Sequence, residues 1–190
     1  MIPFPHILLA SKSPRRQFLL KDAGFQYTFV DIEADETYPE HLQKEAVCMW
    51  LAEHKAAHFT GELGEKVLVT ADTIVCIDGM ILNKPADEAE AIQMLQQLSG
   101  NKHEVFTGVC IMGFGKKRVF FDRTEVYFHT LTEEEIKHYV THFHPFDKAG
   151  SYGVQDWMGY LGVEKINGCF YNVMGFPLAK FYRELQDFLR

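Results

Sequence analysis

The chain has 190 residues, of which 47% are hydrophobic and 24% charged, and its formal net charge at pH 7 is −7. This length and hydrophobic content predict a globular protein, taken here as a single domain over residues 1–190. The acidic balance argues against broad binding of nucleic acid or anionic membranes, since both need an extensive basic surface.

The first residues carry no basic region followed by a long apolar run, so no signal peptide is predicted. No apolar stretch approaches the length of a membrane-spanning helix. A cytoplasmic location is therefore expected. The four cysteines form no C-x-x-C pair, which argues against disulfides and a structural zinc site.

The first pair of elements is a strand at Ile7–Ala10 and a helix that begins at about Pro14. The connecting loop and first turn hold Ser11, Arg15 and Arg16. Because a helix N-terminus presents unpaired N–H groups and a partial positive charge, this junction suits a polyanion. The alternative is an ordinary helix start with solvated basic residues.

A second strand is predicted at residues 27–30, followed by an acidic loop and by a helix within residues 42–59. Carboxylates just past a strand end can hold a hard cation such as Mg²⁺, and Glu33 is the candidate singled out. An exposed acidic loop with no ligand is the alternative.

The strand predicted at residues 67–77 is almost continuously apolar but contains Asp72 and Thr73. A charge in a buried strand is costly unless it is paired, coordinated or exposed at an edge. Asp72 is therefore the best candidate for a catalytic carboxylate, and a local turn or cap role is the alternative.

Further along, Asp78-Gly79 predicts a hairpin turn, after which Lys84 lies at a strand end where it could reach a phosphate. Helices are expected within 87–98 and 132–141, a β-hairpin from 103–112 and 118–128, a strand at 170–173, and a last helix from Pro177. The Gly-flanked stretch 146–155, which ends in Gln155, is predicted to form a binding wall.

Six ordered motifs resemble those of the Maf family: Ser11-Lys12-Ser13-Pro14-Arg15-Arg16, Ala71-Asp72-Thr73, Asn83-Lys84-Pro85, Leu98-Ser99-Gly100, Asp147–Gln155 and Gly175-Phe176-Pro177-Leu178. The resemblance covers essentially the whole chain. It implies an α/β fold similar to the inosine triphosphate pyrophosphatases, with a mixed sheet, flanking helices and two lobes around a central cleft. It also implies hydrolysis of nucleoside triphosphates to the monophosphate and pyrophosphate.

The resemblance further assigns roles to residues. Asp72 would be the proton acceptor, and Glu33 with Asp72 would hold the divalent cation, Mg²⁺ or Mn²⁺. The residues expected to hold the triphosphate are Ser11, Arg15, Arg16, Lys55 and Lys84.

Within the family, Arg15, Thr73 and Gln155 resemble the subgroup that acts on dTTP and UTP, and modified pyrimidine nucleotides are expected among its substrates. A house-cleaning role or a link to cell-division arrest would follow. The alternatives are a 7-methyl-GTP pyrophosphatase and a non-catalytic nucleotide-binding regulator of septum formation. Family members are often dimers, so a homodimer is the default expectation.

Overall fold

A computed structural model describes residues 4–190, in which strands and helices alternate along much of the chain. The strands are β1 (Ile7–Ala10), β2 (Tyr27–Phe29), β3 (Val67–Ile77), β4 (Met80–Leu82), β5 (Lys102–Gly113), β6 (Lys116–Phe128) and β7 (Val163–Asn167). The helices are α1 (Pro14–Asp22), α2 (Glu45–Ala57), α3 (Glu88–Leu98), α4 (Glu133–Phe143), α5 (Trp157–Leu161), α6 (Phe170–Val173) and α7 (Leu178–Phe188).

Over the described residues the seven strands form one mixed sheet with the order β2-β1-β3-β5-β6-β7, and β4 pairs with β3. Strand β1 is parallel to both β2 and β3, whereas β4 and β7 pair antiparallel with β3 and β6. Parallel neighbours need crossover connections, and helices α1 and α2 lie between β1, β2 and β3 in the sequence. The mixed α/β class predicted from the sequence is confirmed.

The chain divides into two compact units. The first unit contains the residues up to Asp72 together with Thr107–Asp122 and Gly175–Arg190. The second unit contains Thr73–Phe106 and Arg123–Met174. Strands β3, β5 and β6 each contribute residues to both units.

In the first unit, strands β1 and β3 are almost completely buried and helix α2 packs on them through its apolar face. A core cluster joins Leu8 and Ala10 of β1, Ala52 of α2 and Leu68 of β3. In addition, the Thr70 hydroxyl of β3 donates a hydrogen bond to the Ala52 carbonyl. These contacts set the position of α2 against the sheet.

In the second unit, helix α4 begins with a complete capping box. The Glu135 amide donates to the Thr132 hydroxyl, and the Thr132 amide donates to the Glu135 carboxylate. Residues 145–147 and 149–151 then form two short 3₁₀ turns that lead to Gln155. This helix and the loop that follows it both belong to the second unit.

One element prediction was wrong. Residues 170–173 form a single helical turn and not a strand, because the buried Asn172 amide donates to the Val105 carbonyl and to the Thr124 hydroxyl. These tertiary contacts of a buried amide outweigh the strand preference of an aromatic run. The sequence analysis also did not predict the short helix α5.

No helix within residues 4–190 has both the length and the apolar character needed to cross a membrane.

Candidate active site

The parallel register of β1 and β3 brings two predicted motifs to the same edge of the sheet. Ala10 pairs with Thr70 at the end of the β1–β3 ladder, so Ser11 follows β1 beside the position where Ala71 and Asp72 continue β3. Helix α1 begins three residues later at Pro14, as the sequence predicted. The strand end, the helix start and the Asp72 carboxylate therefore all belong to one part of the first unit.

Arg16 is the buried centre of this junction. Its Nη1 donates to the Ser11 hydroxyl at 2.9 Å and to the Ala71 carbonyl at 2.8 Å, and its Nε donates to the Gly175 carbonyl at 2.8 Å. The guanidinium thus joins three separate motifs of the resemblance. Burial lowers the pKa of Arg16 to about 10, while the nearby Asp72 carboxylate acts in the opposite direction, so the side chain stays cationic at neutral pH.

The Ser11 hydroxyl is oriented by two donors. It accepts from Arg16 and from the Ser13 amide, the latter at 3.3 Å. A serine hydroxyl has two acceptor lone pairs and one proton. With both lone pairs engaged, its proton is left to donate to a ligand oxygen.

Asp72 satisfies the requirement that a carboxylate within an apolar strand be paired. The Lys55 ammonium, near the C-terminus of α2, contacts the Asp72 Oδ1 atom at 2.6 Å. The side chains are 16% and 13% exposed, so this ion pair is partly desolvated but still reachable. It differs in this respect from most surface ion pairs, which are fully solvated and contribute little.

Glu36 approaches the same ammonium, with its Oε1 atom 3.1 Å from the Lys55 Nζ atom. The sequence analysis singled out Glu33, which lies in the same acidic loop and is exposed. Lys55 therefore contacts both Asp72 and Glu36. The role predicted for Glu33 stays a prediction, and Glu36 is the carboxylate of this loop that contacts Lys55.

A preformed metal cage is not part of this site. No group of three or more His, Cys, Asp or Glu side chains within residues 4–190 is arranged to hold a metal ion. However, Mg²⁺ in phosphate chemistry commonly takes one or two carboxylates and completes its shell with substrate phosphates and water. Asp72 and Glu36, which both contact the Lys55 ammonium, could provide two hard oxygen ligands of this kind.

The remaining predicted residue of the first unit is Arg15. It occupies the second position of α1 and is half-buried. Its positive charge opposes that of Arg16, which adds to the lowering of the Arg16 pKa. The start of α1 therefore carries two guanidinium groups, one buried within the protein and one at least partly accessible.

Three predicted residues belong to the second unit. Thr73 follows Asp72 directly in β3 and is half-buried, whereas Lys84 lies exposed two residues after β4. Gln155 is half-buried in the loop before α5. Its side-chain oxygen is enclosed and accepts no hydrogen bond from the described residues.

The loop that carries Gln155 is held closely to its own unit. The Gly150 amide donates to the Asn83 carbonyl at 3.2 Å, and a Cβ built on Gly150 would press on Val75 of β3 at 3.0 to 3.1 Å. Gly150 also has φ +69, a conformation that glycine adopts without strain. The backbone conformation and the close contact with Val75 therefore both favour glycine at position 150.

Sequence reasoning missed two features of the site. The first is Glu36, since an irregular loop with four carboxylates offers no periodicity that separates one from another. The second is the internal role of Arg16, because a basic pair at a helix start does not show which member turns inward. The contact between Arg16 and the Gly175 carbonyl shows that Arg16 is the inward member, and this contact is visible only in the three-dimensional structure.

The fold and this arrangement define an α/β protein with a strand-end site of carboxylates and basic side chains beside a helix start. Residues 6–188 match the family model described as Maf-like protein. The chain belongs to the Maf family.

Curated relatives of similar length agree with this assignment. The chain is 47% identical over 183 residues to a dTTP/UTP pyrophosphatase of Bacteroides fragilis strain YCH46, covering 95% of each chain. It is 44% identical over 182 residues to a dTTP/UTP pyrophosphatase of Phocaeicola vulgatus, covering 95% of this chain and 94% of the relative. A dTTP/UTP pyrophosphatase of Porphyromonas gingivalis strain W83 is 44% identical over 188 residues, covering 96% and 94%.

Proposed function

We propose that this protein hydrolyses dTTP and UTP to the nucleoside monophosphate and pyrophosphate. The observation that carries the proposal is the Asp72–Lys55 ion pair at the end of β3, beside the Ser11 hydroxyl and the start of α1. It supports the proposal because a carboxylate that can accept a proton and basic side chains that can bind phosphate lie in one unit of a Maf-family chain whose relatives are named for this activity.

In this reaction Asp72 accepts a proton from water as the water oxygen bonds to the α-phosphorus. The bond between the α-phosphorus and the bridging oxygen breaks, and pyrophosphate leaves with that electron pair. Lys55 holds the carboxylate in place through Oδ1, and a carboxylate has enough lone pairs to accept from water as well. A positioned general base of this kind typically contributes about 10²- to 10⁴-fold to the rate.

The phosphate groups are held by residues at the start of α1 and by lysines. We assign direct phosphate contacts to Ser11 through its hydroxyl proton, to Arg15, and to the ammonium groups of Lys55 and Lys84. The predicted direct role of Arg16 is replaced by an indirect one. Its three internal hydrogen bonds orient Ser11 and tie the loop to Ala71 and Gly175.

The cation is Mg²⁺ or Mn²⁺, and we propose that Asp72 and Glu36 hold it, with Glu36 in the place first given to Glu33. When bound, the ion would offset the negative charge that develops on the phosphate oxygens. The Lys55 ammonium contacts both carboxylates, and its single positive charge leaves one net negative charge among the three groups, which would favour a divalent cation.

Base selection is assigned to Arg15, Thr73 and Gln155. A uracil or thymine ring offers two carbonyl acceptors and one N–H donor, and the enclosed Gln155 oxygen is an acceptor without a donor among the described residues. Modified pyrimidines that keep this edge are expected substrates. The nucleotide is the proposed partner. We propose a cytoplasmic protein of one domain over residues 1–190 that can form a homodimer and binds neither nucleic acid nor membrane.

The test is pyrophosphate release from dTTP, UTP, CTP, dATP, GTP and 7-methyl-GTP, with Mg²⁺, with Mn²⁺ and with EDTA. The proposal predicts preferential cleavage of dTTP and UTP that EDTA abolishes. A Gln155→Glu variant should lose this preference, because a carboxylate cannot donate to the base carbonyls. Preference for 7-methyl-GTP would contradict the assigned substrate, and metal-dependent binding of nucleotides without turnover would contradict the activity.

A further inference from the structure

We propose that Tyr139 and Asp156 are positioning residues for base recognition: the Tyr139 hydroxyl holds the Gly153 amide before Gln155 and the Asp156 carboxylate after it, and thereby sets the preference for a uracil or thymine ring. This inference rests on the proposed function, because it acts through the role assigned to Gln155. All the contacts that carry it lie within the second unit.

Tyr139 lies on the buried face of α4, and its side chain is fully enclosed. Its hydroxyl donates to the Asp156 carboxylate, whose oxygens lie 3.0 and 3.1 Å away. The same hydroxyl accepts from the Gly153 amide at 3.1 Å. One oxygen atom therefore holds the residue two positions before Gln155 and the residue directly after it.

The hydroxyl itself has little freedom to move. The Tyr139 ring stacks on Phe143, with centroids 5.3 Å apart and planes 21° apart, and on Trp157, at 6.1 Å and 21°. Burial also raises the pKa of Tyr139, so the phenol stays protonated and remains a donor to Asp156. The packed Tyr139 ring therefore holds the hydroxyl in place, and the hydroxyl remains a hydrogen-bond donor to Asp156.

Asp156 and Tyr160 extend this support. The Asp156 Oδ1 atom accepts from the Met158 amide at 3.3 Å and so caps α5, and the Tyr160 hydroxyl of that helix donates to the Gln155 carbonyl at 2.7 Å. The backbone of Gln155 is thus held from α4 and from α5. A side chain on Gly153 would overlap Asp156 and Gln155, which keeps the loop in close contact at this point.

Position matters here because the distinction between bases is one of hydrogen-bond polarity. Uracil and thymine present an N3–H donor to an amide oxygen, whereas the N3 atom of cytosine is an acceptor. A site with a fixed polar group rejects the wrong partner because a buried group is left unpaired. A displaced Gln155 amide, which can adjust to either ring, loses this discrimination.

The experiment measures kcat and KM for UTP and CTP with the wild type and the Tyr139→Phe variant. We expect the ratio of kcat/KM for UTP to that for CTP to fall about 5- to 10-fold, the size of one lost hydrogen bond. The fall should lie in KM for UTP, with kcat within about twofold of wild type, because Asp72 and Lys55 are not changed.

Two further sets of variants separate positioning from general stability. Tyr127→Phe is the matched control, since Tyr127 also donates to a carboxylate of the second unit, Glu125 at 3.2 Å, but lies on β6. Asp156→Asn keeps an acceptor for Tyr139 and should retain most of the UTP preference, while Asp156→Ala should lose it. The double variant Tyr139→Phe with Asp156→Ala should lose less than the sum of the two single losses, because both substitutions remove the Tyr139–Asp156 hydrogen bond.

An unchanged UTP to CTP ratio in Tyr139→Phe or in Asp156→Ala, with a lower thermal unfolding midpoint, would show a merely structural role and overturn the inference. If Tyr139→Phe does not fold, the ratio of kcat/KM for UTP to that for CTP is measured with Asp156→Ala instead. A wild-type protein that cleaves UTP and CTP equally would overturn the proposed function and the inference together. A wild type that prefers UTP with variants that do so equally would overturn the inference alone.

Discussion

Asp72 illustrates how a single residue can mark a site. A carboxylate in an otherwise apolar strand is expensive to bury, and here one ammonium, that of Lys55, contacts it at 2.6 Å. Lys55 also contacts Glu36, so the cation is shared between two carboxylates. In the proposed mechanism this arrangement orients Asp72 as the general base before substrate binds.

Asp72→Asn should remove most of the activity. The substitution keeps the shape of the side chain and an oxygen that can accept from Lys55, but removes the proton acceptor. We expect kcat for UTP to fall about 10²- to 10⁴-fold. The thermal unfolding midpoint should change little, because Lys55 keeps its contact with Glu36.

Asp78→Asn is the matched control, since Asp78 is an exposed carboxylate in the β3–β4 turn with φ +49, a conformation that asparagine tolerates. It should retain wild-type kcat. Near wild-type turnover by Asp72→Asn would remove Asp72 from the mechanism.

The sequence singled out Asp72 but not Glu36, the second carboxylate that contacts Lys55. The signal at Asp72 was strong because β3 is apolar on both sides of it. Glu36 does not differ in this way from its neighbours, since it lies in a polar loop with other acidic residues. Its place beside Lys55 depends on the path of that loop against α2, which local sequence does not specify.

At the scale of elements, the close approach of α2 to β5 decides where Lys55 stands. A Cβ built on Gly108 of β5 would overlap the backbone of Cys48 and Met49 in α2. Glycine therefore allows this helix to lie directly on the strand. The core contacts of Ala52 and Ala56 with β1 and β3 depend on the same spacing.

Gly108→Ala should therefore push α2 away from the sheet. We expect a loss of roughly 1–3 kcal/mol in the free energy of unfolding. We also expect kcat to fall on the order of 10²-fold, because a displacement of about 1 Å of a catalytic support has that effect. Urea unfolding and initial rates with UTP measure the two effects.

Gly115→Ala is the control for loss of stability alone. Gly115 has φ +70 in the β5–β6 turn and nothing lies within 4 Å of a built Cβ, so the variant is strained locally without moving α2. It should be less stable but as active per folded molecule as wild type. Full activity in folded Gly108→Ala would refute the link between β5 and Lys55.

Most elements were predictable because their periodicity is simple. The long alternating runs of β5 and β6, and the capping threonine and acidic first turn of α4, carry their own local signals. Residues 170–173 do not, because Asn172 adopts its helical turn through hydrogen bonds to β5 and β6. Hydrophobic periodicity cannot predict a conformation that depends on hydrogen bonds to residues distant in the sequence.

At the scale of the whole molecule, stability should depend on pH through His103. Its Nε2 atom lies 2.7 Å from the Tyr152 hydroxyl, and its Nδ1 atom is buried without a partner in the described part of the chain. Burial lowers the pKa of His103 to about 3. The folded protein therefore holds this imidazole neutral, whereas the unfolded chain binds a proton at a pKa of about 6.5.

A depressed histidine pKa favours the folded state above about pH 6.5 and opposes it as the pH falls from there toward 3, because only the unfolded chain then gains the proton. The contribution amounts to about 2 kcal/mol between pH 7 and pH 5. Urea unfolding of the wild type at these two values should include this loss.

The matched variant is His103→Gln, which keeps a polar group for Tyr152 but cannot titrate. Its loss of unfolding free energy between pH 7 and pH 5 should be smaller than that of wild type by about 2 kcal/mol. Equal losses in the two proteins would mean that His103 is not the group responsible.

In the proposed mechanism, water activated by Asp72 attacks the α-phosphorus of the nucleotide. Hydrolysis of UTP in ¹⁸O-labelled water, with mass spectrometry of both products, tests which phosphorus is attacked. We expect one ¹⁸O atom in UMP and none in pyrophosphate. Label in pyrophosphate would place the attack at the β-phosphorus, and release of labelled orthophosphate would place it at the γ-phosphorus; either result would contradict the mechanism.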